Sequence, residues 1–279
     1  MECGSISDRH FSERPIMHGE SVQRRVLITG AAGKVGRMLT SRLHDRYDFI
    51  LAGRHGGRSD EGIEIREVDM RDFAQVRLVM DGVDTVVHLA GDASPQATWE
   101  SVLENNIVGT RNVLEAARDA NVRRVVFASS NHAMGMYDRE SDWPVYNTQQ
   151  PRPDSLYGVS KVFGETIGRF YHDEYGLEFI ALRIGWSTEE IHSTDADVLR
   201  AMWLSPDDTA QVIRCAIEAK VPFGIYYAVS DNPNRRWDMT DTMLDLGYRP
   251  KDRWEETLGE TERVVEGGVP ADPAWPDGT

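Results

Sequence analysis

Cysteine and lysine are scarce in this chain of 279 residues, and no long apolar run interrupts it. The two cysteines, Cys3 and Cys215, exclude a disulfide framework and a cysteine-rich zinc site, and they read as free thiols with no metal implied. Four lysines stand beside 27 arginines and 46 acidic residues, giving a net charge of −15. The basic excess that phosphate-directed nucleic-acid binding needs is therefore missing. No stretch approaches the roughly 18 apolar residues that cross a bilayer. The opening MECGSISDRHFSERP also lacks the apolar core of a signal peptide. The expectation is a cytoplasmic protein with no nucleic-acid and no membrane partner.

What is present is an alternation. Residues 1–22 are polar and aperiodic and read as a flexible extension. Short apolar runs follow at VLIT (26–29), FILA (49–52), IEIREV (63–68), DTVVHLA (84–90), RRVVFAS (123–129) and LEFIALR (177–183), separated by helical patterns. Strands alternating with helices imply an α/β fold with a parallel sheet covered on both faces. Residues 98–120 predict one long helix with Val102, Ile107, Val108, Val113, Leu114 and Ala117 on its apolar side. Residues 155–176 predict another, ended by Gly176, with Leu156, Val159, Val162, Phe163 and Ile167 as the buried stripe. Later, Ser205 and Pro206 open a capped helix over 205–219 and FGIYYAV (223–229) reads as a strand, before a Pro- and Gly-rich end. Residues 185–279 are expected to form a small substrate-covering lobe and tail, and residues 23–184 a dinucleotide-binding domain with the catalytic helix.

The run VLITGAAGKVGRML joins the first strand to the first helix. Gly30, Gly33 and Gly36 allow a tight turn and close backbone approach to a pyrophosphate at the helix N-terminus. Placed there, the motif points to a Rossmann-type doubly wound sheet that binds a dinucleotide. The second strand ends in Gly53 and Arg54, where an acid would hold the ribose of NAD. A guanidinium there pairs with a 2′-phosphate, so NADP is the preferred cofactor and NAD the alternative; Arg54 pointing into water is the other reading. Asp69 either accepts from the adenine amino group or caps a helix.

The stretch SLYGVSK (155–161) carries the chain's single Tyr-x-x-x-Lys. Tyr157 and Lys161, four apart on a helix, share one face. With TGAAGKVG, HLAGD (88–92) and VVFASSNHAMG (125–135), this stretch resembles the extended short-chain dehydrogenase/reductase family over roughly residues 25–250. The resemblance implies Tyr157 as general base, Lys161 stabilising its phenolate and holding the nicotinamide ribose, and Ser130 bonding the reacting oxygen, with Ser129 structural. Its cofactor residues would be Gly30, Gly33, Lys34, Val35, Gly36, Arg54, Asp69, Met70, Leu89, Ala90, Gly91, Asn106 and Ile184, besides Tyr157 and Lys161. Asn106 would also support the catalytic helix from its neighbour. The family often forms homo-oligomers through the helices over 98–120 and 155–176.

Asn131 and His132, directly after Ser130, resemble the uronate and aldose 1-dehydrogenase branch, which includes archaeal glucose-6-phosphate dehydrogenases. LYGVSKVFGE, LRIG and AMWLS fit it as well. The implied reaction is oxidation of a sugar at C1 to the aldonolactone, with Ser130, Asn131, His132 and Tyr157 contacting the sugar; the other reading of His132 is a loop histidine facing water. Trp186 replaces the branch's serine after the RIG segment, and either stacks on the sugar or packs in the core. The acidic residues Glu189, Glu190, Asp195 and Asp197 would repel an anionic substrate, which favours a neutral aldose over a uronate or a sugar phosphate. A sugar-nucleotide epimerase and a redox sensor without catalysis are the competing readings. Only 96 residues follow Arg183, with no basic cluster for a nucleoside diphosphate.

Overall fold

The apolar runs become strands, each where the sequence places it. The structure is a computed structural model that describes residues 23–188 and 197–255. In chain order its strands are β1 (Arg25–Thr29), β2 (Asp48–Gly53), β3 (Gly57–Arg58), β4 (Glu64–Glu67), β5 (Thr85–His88), β6 (Arg124–Ser130), β7 (Glu178–Ile184), β8 (Trp186–Ser187), β9 (Trp203–Leu204) and β10 (Phe223–Ala228). Eight of them form one sheet in the order β10-β7-β6-β5-β1-β2-β4-β3, parallel except for the β3–β4 pair. β8 and β9 pair separately. The extension at 1–22, Cys3, the acidic residues Glu189, Glu190 and Asp195, and the Pro- and Gly-rich end lie outside the described residues.

The helices are α1 (Lys34–Leu43), α2 (Phe73–Leu78), α3 (Trp99–Ser101), α4 (Gly109–Asp119), α5 (Gly135–Arg139), α6 (Leu156–Tyr175), α7 (Asp197–Met202), α8 (Pro206–Glu218) and α9 (Thr240–Asp245). Successive residues of β1 face opposite ways. Val26 and Ile28 enter one core with Leu39 of α1 and Val212 and Ile213 of α8. Leu27 enters the other with Val113 and Leu114 of α4 and Phe127 and Phe179 under α6. Caps set the helix starts as expected: the Ser155 side chain accepts from Gly158 N–H, and Ser205 from Asp208 N–H with Pro206 following. α6 stops at Gly176, which adopts a left-handed φ of 71°.

Two helix expectations need correction. Residues 98–120 are not one continuous α-helix, because Val102–Val108 form a π-helix between α3 and α4. The wide turn brings Asn106 inward and leaves Val108 exposed. On α6 the buried face is not the predicted apolar stripe: Leu156 and Val159 are 43% and 42% exposed. Tyr157, Ser160, Lys161, Gly164, Glu165 and Gly168 are buried instead. The glycines explain this rotation. A Cβ on Gly164 would lie 2.2 Å from the Phe127 ring, and one on Gly168 2.2 Å from Phe179. Without side chains there, the helix backbone rests directly on the two rings, and the face carrying Tyr157 and Lys161 turns towards the sheet.

β10 and α8, which fall in the segment read as a lobe, belong to the main sheet and its covering layer.

Candidate active site

Strand order reverses between β1 and β5, so a crevice opens above their C-terminal ends. Gly30 follows β1 there, with φ 71° and room for no side chain, since a Cβ would stand 2.8 Å from Ala90 N. Gly36 packs α1 against the strand end, where a Cβ would lie 2.4 Å from the Ala31 carbonyl oxygen. Gly33 is the N-cap of α1 and covers none of its first N–H groups with a side chain. Open N–H groups beside a glycine turn are the donor set that a dinucleotide pyrophosphate needs, and these residues fit it. Lys34 is exposed, and Val35 packs against the core.

After β2, Arg54 is exposed and donates from Nη2 to Asn105 Oδ1 at 2.7 Å. It therefore reaches across from β2 to the π-helix instead of hanging in solvent. Asp69 is gripped by Arg71, Nη2 to Oδ2 at 2.7 Å, which holds its carboxyl below the usual range. The helix cap at this point is Asp72, which accepts from Ala74 and Gln75 N–H, so the capping alternative for Asp69 does not hold. Met70 is buried, and its carbonyl accepts from the Asn112 amide at 3.0 Å.

After β5, Leu89 N–H bonds the Thr29 carbonyl at 3.2 Å and Ala90 N–H bonds Thr29 Oγ1 at 3.3 Å. Gly91, at φ 153°, leaves room for Asn106 Oδ1, which a Cβ would meet at 2.9 Å. Asn106 accepts from Asp92 N–H at 2.7 Å and donates to both Asp92 O and Ser160 Oγ at 2.9 Å. Both amide hydrogens are thus committed to joining the β5 loop to α6. The geometry makes Asn106 a brace between the loop after β5 and α6, with no amide hydrogen left for a cofactor.

Tyr157, Lys161 and Ser130 come together as the spacing requires. Ser130 ends β6, in register with Ile184 at the end of β7. Its hydroxyl accepts from His132 N–H at 3.2 Å and donates to Asn131 Oδ1 at 3.2 Å, and it lies close enough to the Tyr157 phenol to act on its ionisation. The Lys161 ammonium stands 5.4 Å from the Tyr157 ring centre and 5.0 Å from that of Phe127. Burial pushes the Tyr157 phenol up to about 12; the Ser130 hydroxyl opposes this, and the Asp92 and Asp154 carboxylates add to it. Burial pulls Lys161 down to about 8, with Glu165 opposing.

On the substrate side, Asn131 donates to Met202 Sδ at 3.5 Å, which ties the β6 loop to the AMWLS segment. His132 is buried, so it is not a solvent-facing loop residue. Its Nδ1 lies 2.9 Å from Asp154 Oδ2, and its ring meets Tyr157 edge-on at 5.7 Å between centres. Trp186 is half-buried and packs against Trp254, with ring centres 5.6 Å apart, which favours core packing on that side of the indole. Asp197, the described member of the acidic group, is ion-paired at 2.6 Å to Arg236, which also pairs with Asp138 at 2.7 Å.

Sequence reasoning missed Asp154, Gly135, Glu165 and Arg183. Asp154 immediately precedes the cap of α6, the one local sign that it would lie at the helix mouth. A Cβ on Gly135 would fall 1.9 Å from the Asp154 carboxylate, so Gly135 makes the room in which that acid sits. Among the described residues no helix is long and apolar enough to cross a membrane.

Known proteins share the fold and much of the sequence. Residues 26–186 match the NAD dependent epimerase/dehydratase family. The chain is 40% identical over 258 residues to an NAD-dependent glucose-6-phosphate dehydrogenase from Haloferax volcanii, covering 86% of this chain and 98% of that one. It is 42% identical to an L-arabinose 1-dehydrogenase (NAD(P)(+)) from the same organism, with 82% and 96% covered. A crystal structure of uronate dehydrogenase from Agrobacterium tumefaciens, in complex with NAD, superposes with a TM-score of 0.77 at 32% identity, covering 90% of this chain and 93% of the other. The chain therefore belongs to the NAD dependent epimerase/dehydratase family, the extended short-chain dehydrogenases.

Proposed function

We propose that the protein oxidises a sugar at C1 to its aldonolactone with a nicotinamide dinucleotide, and that its substrate is a neutral aldose. The observation that carries this reading is the convergence of Tyr157, Lys161 and Ser130 beside His132 and Asn131, above a glycine turn fit for a pyrophosphate.

An oxidised nicotinamide supplies the hydride acceptor and a positive ring charge when bound. Tyr157 Oη takes the proton of the C1 hydroxyl while Ser130 Oγ bonds the same oxygen. A phenol held near 12 by burial is a poor base on its own, so the charge of Lys161 is needed to stabilise the phenolate. Asn131, and His132 oriented by Asp154, read the neighbouring hydroxyls. Trp186 walls the sugar pocket with its free side.

The choice of a neutral sugar rests on charge. Asp92 and Asp154 both act on Tyr157, so the carboxylates gathered at the catalytic end of the pocket favour an uncharged sugar. The acidic segment that first suggested this is weaker support, given the Arg236–Asp197 pair. Similarity to the L-arabinose enzyme agrees with the choice, while similarity to the uronate and glucose-6-phosphate enzymes keeps those acids and esters as the alternatives. NADP is preferred over NAD because Arg54 and no acid follows β2. Leu156, Val159, Phe170 and Tyr175 lie exposed on α6 and Leu103 and Val108 on the π-helix, which favours a homo-oligomer buried on these faces. Residues 23–184 are taken as the cofactor-binding part with the catalytic helix, and residues 185–279 as the part that completes the substrate side, with β10 and α8 built into the main sheet and its cover.

Absorbance at 340 nm, with NADP or NAD offered against aldoses, uronates and glucose 6-phosphate, tests the reading. Net reduction with a neutral aldose is expected. Reduction only with an anionic sugar overturns the substrate class, and no reduction with any sugar favours an epimerase that retains its nucleotide.

A further inference from the structure

Three ionisable side chains lie in a row beneath the catalytic helix. Lys161 and Glu165 are one turn apart on α6, and Arg183 comes up from β7. All three are almost completely shielded from water. The Glu165 carboxylate is fully engaged: Oε1 accepts from Ser129 Oγ at 2.6 Å and Arg183 Nε at 2.9 Å, and Oε2 accepts from Arg183 Nη2 at 2.9 Å. Arg183 is itself held, with Nη1 donating to the Asn147 carbonyl and to Tyr227 Oη, each at 3.4 Å. Ser129 and Ser130 are consecutive on β6, and Ser129 donates to Glu165 while Ser130 lies by Tyr157, two turns nearer the start of α6.

We propose that Glu165 is a positioning residue for the Tyr157–Lys161 pair: clamped by Ser129 and Arg183, its carboxylate keeps the buried Lys161 ammonium charged, and Lys161 in turn acts on Tyr157. The proposal rests on the reading of Tyr157 and Lys161 as catalytic.

Stability alone is a poor reason for such a group. Taking an ion pair out of water is costly, and apolar side chains of similar size often serve a fold equally well. Lys161 makes no direct ion pair among the described residues, and the carboxylate acting on its charge is Glu165. The other ionisable groups around it do not supply that field. His88 on β5 is buried and neutral, pushed down to about 3 by burial and by Lys161 itself. Asp92 after β5, and Asp154 with His132 ahead of α6, gather around Tyr157 at the mouth of the site. Glu115 on α4 is taken by Tyr171, further along the helix. The Tyr227 phenol on β10 is pushed up to about 12 by burial and stays protonated.

The clamp also has a reason. Arg183 satisfies both carboxylate oxygens, and the Ser129 hydroxyl fixes the carboxylate's direction.

The scarcity of lysine makes a direct test practical. With four lysines in the chain, carbon-13 labelling of the lysine ε-carbons gives four resonances to follow through a pH titration, and the one lost in K161R is assigned to Lys161. In E165Q the Lys161 midpoint is expected to fall by about one pH unit or more, and in E165D to return towards wild type. The alkaline limb of the kcat profile should move down with it. An unchanged Lys161 midpoint in E165Q overturns the proposal, whatever happens to activity. Should E165Q fail to fold, E165Q/R183M leaves neither charge unpaired; a lowered midpoint there supports the proposal and an unchanged one overturns it. The titration needs no turnover, so a wild-type protein that reduces no nucleotide would sink the proposed function while this test still decides the role of Glu165.

Discussion

The Nδ1 atom of His132 stands 2.9 Å from the Asp154 carboxylate, which is itself sealed from water, and the imidazole lies edge-on to Tyr157. A carboxylate in this position fixes the ring's orientation, with Nδ1–H donating to Asp154. The same carboxylate accepts from Ser155 Oγ at 3.0 Å, so the start of α6 and the loop after β6 share one anchor.

Gly135→Ala tests that anchor without touching either polar group. Its new Cβ would fall 1.9 Å from an Asp154 oxygen, a short side chain with nowhere to swing, so the carboxylate must leave His132. The loss of one charge-assisted bond predicts a fall in kcat/KM of about 10- to 100-fold, seen mainly in the KM for sugar. Steady-state kinetics with cofactor saturating would show it, and an unaltered KM would mean that His132 does not read the sugar.

Tyr157→Phe removes the proton acceptor and leaves the ring. Turnover is expected to fall by about 100- to 10,000-fold, with nucleotide affinity unchanged by fluorescence titration. Retained turnover would place the base elsewhere.

His88 makes stability depend on pH. Its Nδ1 is 2.7 Å from Thr29 Oγ1 and its Nε2 3.2 Å from Thr110 Oγ1, and burial holds the folded-state value at about 3. The unfolded chain takes up a proton near pH 6.5, and the folded protein does not do so until about pH 3. The contribution is therefore complete above pH 6.5 and is lost progressively as the pH falls from there towards 3. The expected loss between pH 7 and pH 5 is about 2 kcal/mol. Urea unfolding at the two pH values measures it, and H88Q should flatten the difference.

Arg54→Ala separates the two nucleotides. Losing one guanidinium from a 2′-phosphate predicts about tenfold weaker NADP binding with NAD binding unchanged. Equal loss for both would return Arg54 to its bond with Asn105 as a structural residue.

The sheet was legible because its strands are short apolar runs between turn residues, and buried parallel strands need little else. The meeting of Tyr157, Lys161 and Ser130 was legible for a similar reason: Tyr157 and Lys161 are fixed by helix spacing, and Ser130 by its place at a strand end. The buried face of α6 was not legible, since Gly164 and Gly168 pack by what they lack, and an apolar count gives most weight to residues such as Leu156 that remain exposed. Glu165 and Arg183 were missed because they are 18 positions apart and meet only through the β6–β7–α6 layering. Asp154 pairs with a residue 22 positions away, and local spacing does not encode such contacts.

The π-helix at Val102–Val108 acts as a gauge of chain length. Each residue added to or taken from a helix turns everything beyond it by about 100°. Asn106 braces Asp92 and Ser160 from inside the wide turn, so one residue more or fewer ahead of it would swing its amide off both partners even if every side chain kept its chemistry. Exchanges on the outer side, at Leu103 or Val108, leave that phase untouched. The segment should tolerate altered spelling and refuse an altered count.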